Sequence, residues 1–310
     1  MNGRQRSKAS NGFALIAVLW FLVLIAAIGS YLLANARSET ALARNIRASA
    51  NAEAMADAGV ADAVFNQTDP VPAARWPLDG EPHTIRFNGG EIAVRLYDER
   101  AKVNPNLASD ALLGGLFQTL GIERSRARRL GAAMADWVSS GGKPRPFGAK
   151  LEQYRAAGKT YGPPNAPIET LDEIVLVLGM TPEVAALIRP YLTLYTDEDA
   201  PAPALAGPLV KRALAIAARE ERAADSESAQ PASMPQAGFD PDAPSVQAPA
   251  AAQTNTAAAK PKSDVPIVAL NIVARSADGG VFVREAVIRI DPSAPKGYAV
   301  LAWRRGDLPD

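Results

Sequence analysis

Asn11-Gly-Phe-Ala-Leu-Ile-Ala-Val-Leu-Trp-Phe-Leu-Val-Leu-Ile-Ala-Ala-Ile-Gly-Ser-Tyr-Leu-Leu33 is the stretch that sets the architecture of this chain. Arg4, Arg6 and Lys8 precede it, and no further charge appears until Arg37. An apolar run of this length is what a helix needs to cross hydrocarbon. Basic residues ahead of a first apolar segment hold that end in the cytoplasm, so the chain after Ala36 is expected outside the inner membrane. A secretory signal peptide is a rival reading, but its apolar core is shorter and ends in a small-x-small cleavage site. A simple uncleaved anchor is the other.

From residue 34 to residue 65 the helix is expected to continue, because the segment is Ala-rich and lacks Pro. Leu42, Ile46, Ala50, Met55 and Val60 fall near one face, with Arg37, Glu39, Arg44, Arg47, Glu53 and Asp57 mostly elsewhere. Such a helix, running straight out of a membrane span, reads as a spine for a domain to pack on.

The remaining chain divides by pattern. Residues 69–72, Asp-Pro-Val-Pro, end the spine. Residues 83–87 and 91–97 alternate as strands around Asn88-Gly89-Gly90, a turn chemistry that supplies positive φ. From 101 to 197 the pattern is helical, with expected helices up to Leu120 and over 123–138, 149–157, 171–178 and 182–188. Residues 198–264 are rich in Ala, Pro and Ser and read as a linker, disordered from 223, with one helical stretch at 208–222. Strands resume at 265–275, 281–290 and 297–305. The segments are therefore an N-terminal leader (1–12), a helix (13–66), the first part of a sheet (76–100), a helical block (101–197), a linker (198–264) and the second part of the sheet (265–307). The expected fold class is α+β: a long N-terminal helix on an antiparallel sheet interrupted by a large all-helical insertion.

Composition narrows the chemistry. The chain has 310 residues, with Lys+Arg and Asp+Glu both at 33, so it is no globally basic nucleic-acid binder. With no Cys and a single His (His83), zinc, haem and Cys- or His-based nucleophilic chemistry have almost no side chains to use. Carboxylate pairs such as Asp136/Glu152 or Asp172/Glu173 have no spacing that singles them out as acid–base partners. No catalytic residue is assigned, and Trp137 and Tyr154 read as core or interface.

The basic head, Gly12 and the apolar helix resemble the class III signal of type IV pilins and pseudopilins, which a prepilin peptidase cuts after Gly and methylates at the new terminus. The resemblance makes Gly12 and Phe13 the processing residues. Pilin-like proteins carry Glu at the fifth mature position, where it pairs with a neighbour's terminal ammonium; here that position is Ala17. A buried carboxylate in lipid needs a partner, and a subunit with no neighbour ahead of it has none. Ala17 therefore points to the tip of a filament.

Further blocks carry a more specific likeness. Asp98-Glu-Arg-Ala-Lys-Val-Asn-Pro-Asn106 is one. Ala135-Asp136-Trp137, Gly148-Ala149, Tyr154, Pro164-Asn-Ala-Pro167, Glu173-Ile174, Gly179-Met-Thr-Pro182 and Val300-Leu-Ala-Trp-Arg304 follow in order. Together they resemble the general secretion pathway protein K family, the large minor pseudopilin of type II secretion, over nearly all the chain except the linker. The resemblance implies a non-enzymatic subunit at the tip of the periplasmic pseudopilus. Its implied partners are the I and J minor pseudopilins, the major pseudopilin, the prepilin peptidase, the inner membrane and secreted proteins, with no nucleic acid. Family members hold calcium after the Asp-Trp pair. Here that loop is Val138-Ser-Ser-Gly-Gly142, and Lys150 follows Gly148-Ala149 where Glu is usual. Only Asp136 and Glu152 remain as carboxylate candidates, fewer than Ca²⁺ asks for; no cofactor is expected.

Residues 102–138 and 168–190 also resemble helix-hairpin-helix units of competence-type DNA receptors. Their turns, Gly121-Ile-Glu123 and Gly179-Met-Thr181, lack the second Gly, and Glu123 opposes phosphate. The cluster Arg124, Arg126, Arg128 and Arg129 reads more simply as a solvated helix face.

Overall fold

A computed structural model describes residues 10–228, 265–291 and 293–308 of the chain. Residues 1–9 of the expected leader (1–12), and residues 229–264 of the stretch expected to be disordered from 223, lie outside the described residues.

Helix α1 (Ser10–Gln67) is continuous from the apolar run into the spine. Its packed stripe starts later than the sequence pattern suggests. Leu42 and Ile46 are both 61% exposed and Ala50 is exposed, whereas Ala48, Ala52, Met55, Ala56, Val60, Ala63 and Val64 are buried. Small side chains decide this, because a helix lies closest to a sheet along its Ala and Gly positions. At Gly59 an added Cβ would come within 2.8 Å of Ile92 Cγ2 and 3.1 Å of Ile272 Cγ2.

Strands β1 (His83–Phe87), β2 (Gly90–Asp98), β3 (Ile267–Arg275), β4 (Val281–Ile290) and β5 (Tyr298–Arg305) form one sheet in chain order, every pair antiparallel. Asn88 and Gly89, with φ 48° and 74°, make the β1–β2 turn. Both values are positive, the geometry that matches strand twist in a tight hairpin. Ile92, Val94 and Leu96 of β2, Val268, Leu270 and Ile272 of β3, and Ala286 and Ile288 of β4 form a core with the α1 stripe. Gly280, after the β3 strand, passes so close to α1 that a Cβ there would meet the Ala48 carbonyl oxygen at 2.0 Å.

The helical block leaves the end of β2 and rejoins the chain before β3, and Asp98 pairs with Val268 in the sheet. It comprises α2 (Asp110–Thr119), α3 (Arg124–Val138), α4 (Leu151–Ala156), α5 (Pro182–Ile188) and α6 (Pro208–Ser228). Residues 171–178, expected as a helix, form a 3₁₀ segment over Leu171–Leu176. The start of the block is tied to its far side by the Val-Asn-Pro-Asn motif. Val103 N donates to Tyr191 O (2.9 Å) and its carbonyl accepts from Thr193 N (2.9 Å). Asn104 Nδ2 donates to Thr196 O at 2.6 Å, and Asn106 exchanges two bonds with the backbone of Ile168.

A glycine at each contact lets α2 touch a helix on each side. A Cβ on Gly131 of α3 would fall 2.5 Å from Gly114 N and 2.6 Å from Asp110 O, and one on Gly115 would fall 2.8 Å from Ala213 O of α6. Within the segment read as a linker, the helical stretch expected at 208–222 is present as α6 and runs on to Ser228, past the expected start of disorder at 223. It belongs to the helical block: Ala206, Val210, Ala213 and Ala217 are buried in the same core as Leu113, Phe117 and Met134.

Candidate functional site

Two regions concentrate the unusual features. The first is the exposed half of α1. Phe13–Tyr31 has a mean hydropathy of 2.7, none of it is buried, and its length and composition suffice to cross a membrane. Ala17 lies on this surface and Phe13 at its start, exposed; Gly12 falls in the first turns of the same helix. Above the span, Leu42 and Ile46 leave apolar surface bare on α1.

The spine is fastened to the sheet by Arg284 of β4. Its side chain is 7% exposed, with Nε donating to Asp57 Oδ1 and Nη2 to Glu53 Oε1, each at 2.8 Å. The guanidinium carbon lies 4.8 Å from the Phe282 ring centroid and 5.0 Å from that of Trp303. The sequence pattern set Glu53 and Asp57 off the apolar face of the helix and gave no sign of this arginine, because a charge within a strand normally points to water.

The second region lies at the C-terminal end of α3. Asp136 is 1% exposed. Its Oδ2 accepts from Arg145 N at 3.0 Å, and its Oδ1, with no hydrogen-bond donor, lies 3.6 Å from Arg145 Nε. Gly148 has to be glycine, since a Cβ would sit 2.0 Å from Asp136 Oδ2. Beside it the ammonium of Lys150 is enclosed by three oxygens: Asp136 O at 2.6 Å, Ser139 O at 2.5 Å and Asn165 Oδ1 at 2.6 Å. An ammonium has three donors, and each is used. Burial pulls the Lys150 pKa below its ordinary 10.5, with the Asp136 charge opposing and the Arg145 charge adding to the drop. Asn165 holds φ 55°, which aims its amide at the cage. Glu152, the other acidic candidate, is exposed on the first turn of α4, so the two carboxylates do not share an environment.

Tyr154 packs under this region. Its hydroxyl accepts from Leu178 N at 2.9 Å, burial raises its pKa to about 12, and its ring meets Trp137 and Tyr161 at 6.1 and 5.8 Å. Trp137 and Tyr154 are thus core residues, as expected.

The hairpin turns have already spent the amides that would grip a phosphate. Glu123 caps α3 with its own carboxylate, accepting from Ser125 N at 2.9 Å and Arg126 N at 3.1 Å. The hydrogen bond from the Ser125 hydroxyl, followed by these two backbone bonds, lowers its pKa to about 2. At the second turn Thr181 Oγ1 accepts from Val184 N, and Pro182 offers no N–H.

A long helix, apolar and bare at one end, packed by its other end on a meander sheet with a helical insertion, defines a pilin-like α+β protein whose N-terminal helix is long and apolar enough to cross a membrane. Residues 86–197 match the family described as type II secretion system (T2SS), protein K. A curated relative, the type II secretion system protein K of Klebsiella pneumoniae, is 30% identical over 219 residues, 64% of this chain and 65% of that protein. The protein of that name from Pectobacterium carotovorum subsp. carotovorum is 25% identical over 39% of each chain. The chain thus spans just under two thirds of the length of the first relative. The crystal structure of the GspK-GspI-GspJ complex from the enterotoxigenic Escherichia coli type 2 secretion system shares the fold, with a TM-score of 0.54 at 17% identity over 88% of this chain and all of that one. The likeness to the type II secretion system protein K family is thus carried by residues 86–197, the helical block and the strand that leads into it.

Proposed function

We propose that this chain is a minor pseudopilin of a type II secretion system, a structural, non-catalytic subunit held in the inner membrane by one span with its bulk in the periplasm. The division of α1 carries the reading. Its upper half is buried under its own sheet, while its lower half is apolar, uncharged and bare over Phe13–Tyr31. A bare half of that kind is the part another subunit's helix would cover in a filament. The family match supports the same reading.

In this reading a prepilin peptidase cuts between Gly12 and Phe13 and methylates Phe13. Ala17 leaves the mature helix without an acid to offer a neighbour ahead, which suits a subunit at the tip. The solved relative was crystallised with GspI and GspJ; their counterparts, with the major pseudopilin below, are the partners proposed here. Intact-mass and N-terminal analysis of the protein extracted from membranes tests the proposal. Methyl-Phe13 is the expected terminus, and a mature protein still starting at Met1, or lacking residues 13–33, refutes it.

A further inference from the structure

The family resemblance implies calcium near Asp136, and the side chains present do not fit it. Calcium takes six to eight oxygens with carboxylates among them. Of the two acidic candidates Asp136 is buried and Glu152 faces solvent, and among the described residues no group of three His, Cys, Asp or Glu side chains converges. A cation already sits among the oxygens. We infer that the Lys150 ammonium is a tethered replacement for a metal ion, so that the helical block holds its shape without divalent cations.

The geometry supports this in three ways. The oxygens come from three separate pieces of chain: the last turn of α3 (Asp136 O), the loop after it (Ser139 O) and the 163–167 loop (Asn165 Oδ1). Joining such pieces through oxygen ligands is what a structural ion does. The contact lengths of 2.5–2.6 Å fall in the range of calcium–oxygen bonds, so the cage has the dimensions of an ion site. The lysine is also fixed from behind. Its backbone N donates to Gln153 Oε1 at 2.9 Å where α4 begins, and only 6% of the residue is exposed. A divalent ion entering the cage would meet a buried positive charge with every oxygen taken.

The test uses the full chain in detergent, followed by thermal unfolding in EDTA and in millimolar calcium. Wild-type Tm is expected to be the same in both. Lys150→Met keeps the aliphatic stem and removes the charge, and is expected to lower Tm by about 5–10 °C in either buffer. Asn165→Gly keeps the positive φ, removes one oxygen, and is expected to lower it by about 2–5 °C. Lys150→Glu is expected to be destabilised in EDTA and to regain most of the loss in calcium. A wild-type Tm that rises with calcium overturns the inference, as does a Lys150→Met or Asn165→Gly protein as stable as wild type. So does a Lys150→Glu protein that ignores calcium. None of these readouts depends on pseudopilus assembly, so failure here leaves the functional proposal standing.

Discussion

Replacing Arg284 with Met should detach the spine helix from the sheet more than any other single polar change. The side chain makes two charged hydrogen bonds to α1, one to Glu53 and one to Asp57, which lie one turn apart. Both carboxylates are about half exposed, so solvent screening limits each bond to about 1 kcal/mol. Its stacking on Phe282 and Trp303 adds about 0.5 kcal/mol per ring. The sum is about 3 kcal/mol, which for a domain of this size lowers Tm by about 6–12 °C. Loss of near-UV ellipticity on heating the full chain in detergent measures it. The reasoning also fixes a coupling. Glu53→Gln with Asp57→Asn leaves a buried guanidinium with no counter-ion, so that pair should cost at least as much as Arg284→Met. The triple variant should be no less stable than the acid pair, because no orphaned charge remains. A Tm for Arg284→Met within about 1 °C of wild type refutes the argument, as does simple additivity across the three positions.

Gly131→Ala should destabilise by about 2–3 kcal/mol despite the better helix propensity of Ala, because its Cβ would strike the α2 backbone at Asp110 and Gly114; urea titration checks this. Ala213→Glu should unfold the helical block before the sheet, since it buries a charge between α6 and Gly115; proteolysis confined to residues 101–228 is the expected signature. Glu123 has a folded pKa of about 2 against an ordinary 4.5. Its capping contribution is therefore complete above about pH 4.5 and fades as pH falls toward 2. Glu123→Gln should flatten the stability–pH curve within that window, and an unchanged slope would contradict the capping assignment.

The elements most legible in the sequence were those written in strong local chemistry. Asn88-Gly89 announces its hairpin because few other residues accept positive φ twice in succession, and the uncharged run from Phe13 announces its helix through length alone. The α6 packing was hidden because its buried face is Val210, Ala213 and Ala217, with Ala206 just before it, and these carry little hydrophobic contrast within an Ala/Pro-rich stretch. What buries them is the absence of a side chain at Gly115, a fact about the opposing helix. The α1 stripe was misplaced for the same reason: alanines and Gly59 face the sheet, and the larger Leu42 and Ile46 do not. At the Asp136 region the sequence marked the aspartate, the loop and the intrusive lysine. It could not reveal that Lys150 fills the oxygen cage, because two of the three oxygens belong to the backbone and carry no residue signature. Glu152 drew notice as an acid near Asp136 in sequence, yet its position in the first turn of α4 turns it outward.

The pairing of Asp98 with Val268 has a consequence for how the protein is made. Synthesis delivers the anchor helix and the first hairpin long before β3 exists, so β2 at first presents a naked hydrogen-bonding rim, the kind of edge that recruits stray strands. Every residue of the inserted block must be produced before that rim is closed. The sequence separation between β2 and β3 sets the loop that this pairing has to close, so any order gained inside the inserted block before β3 emerges shortens the closure and the time the rim stays open.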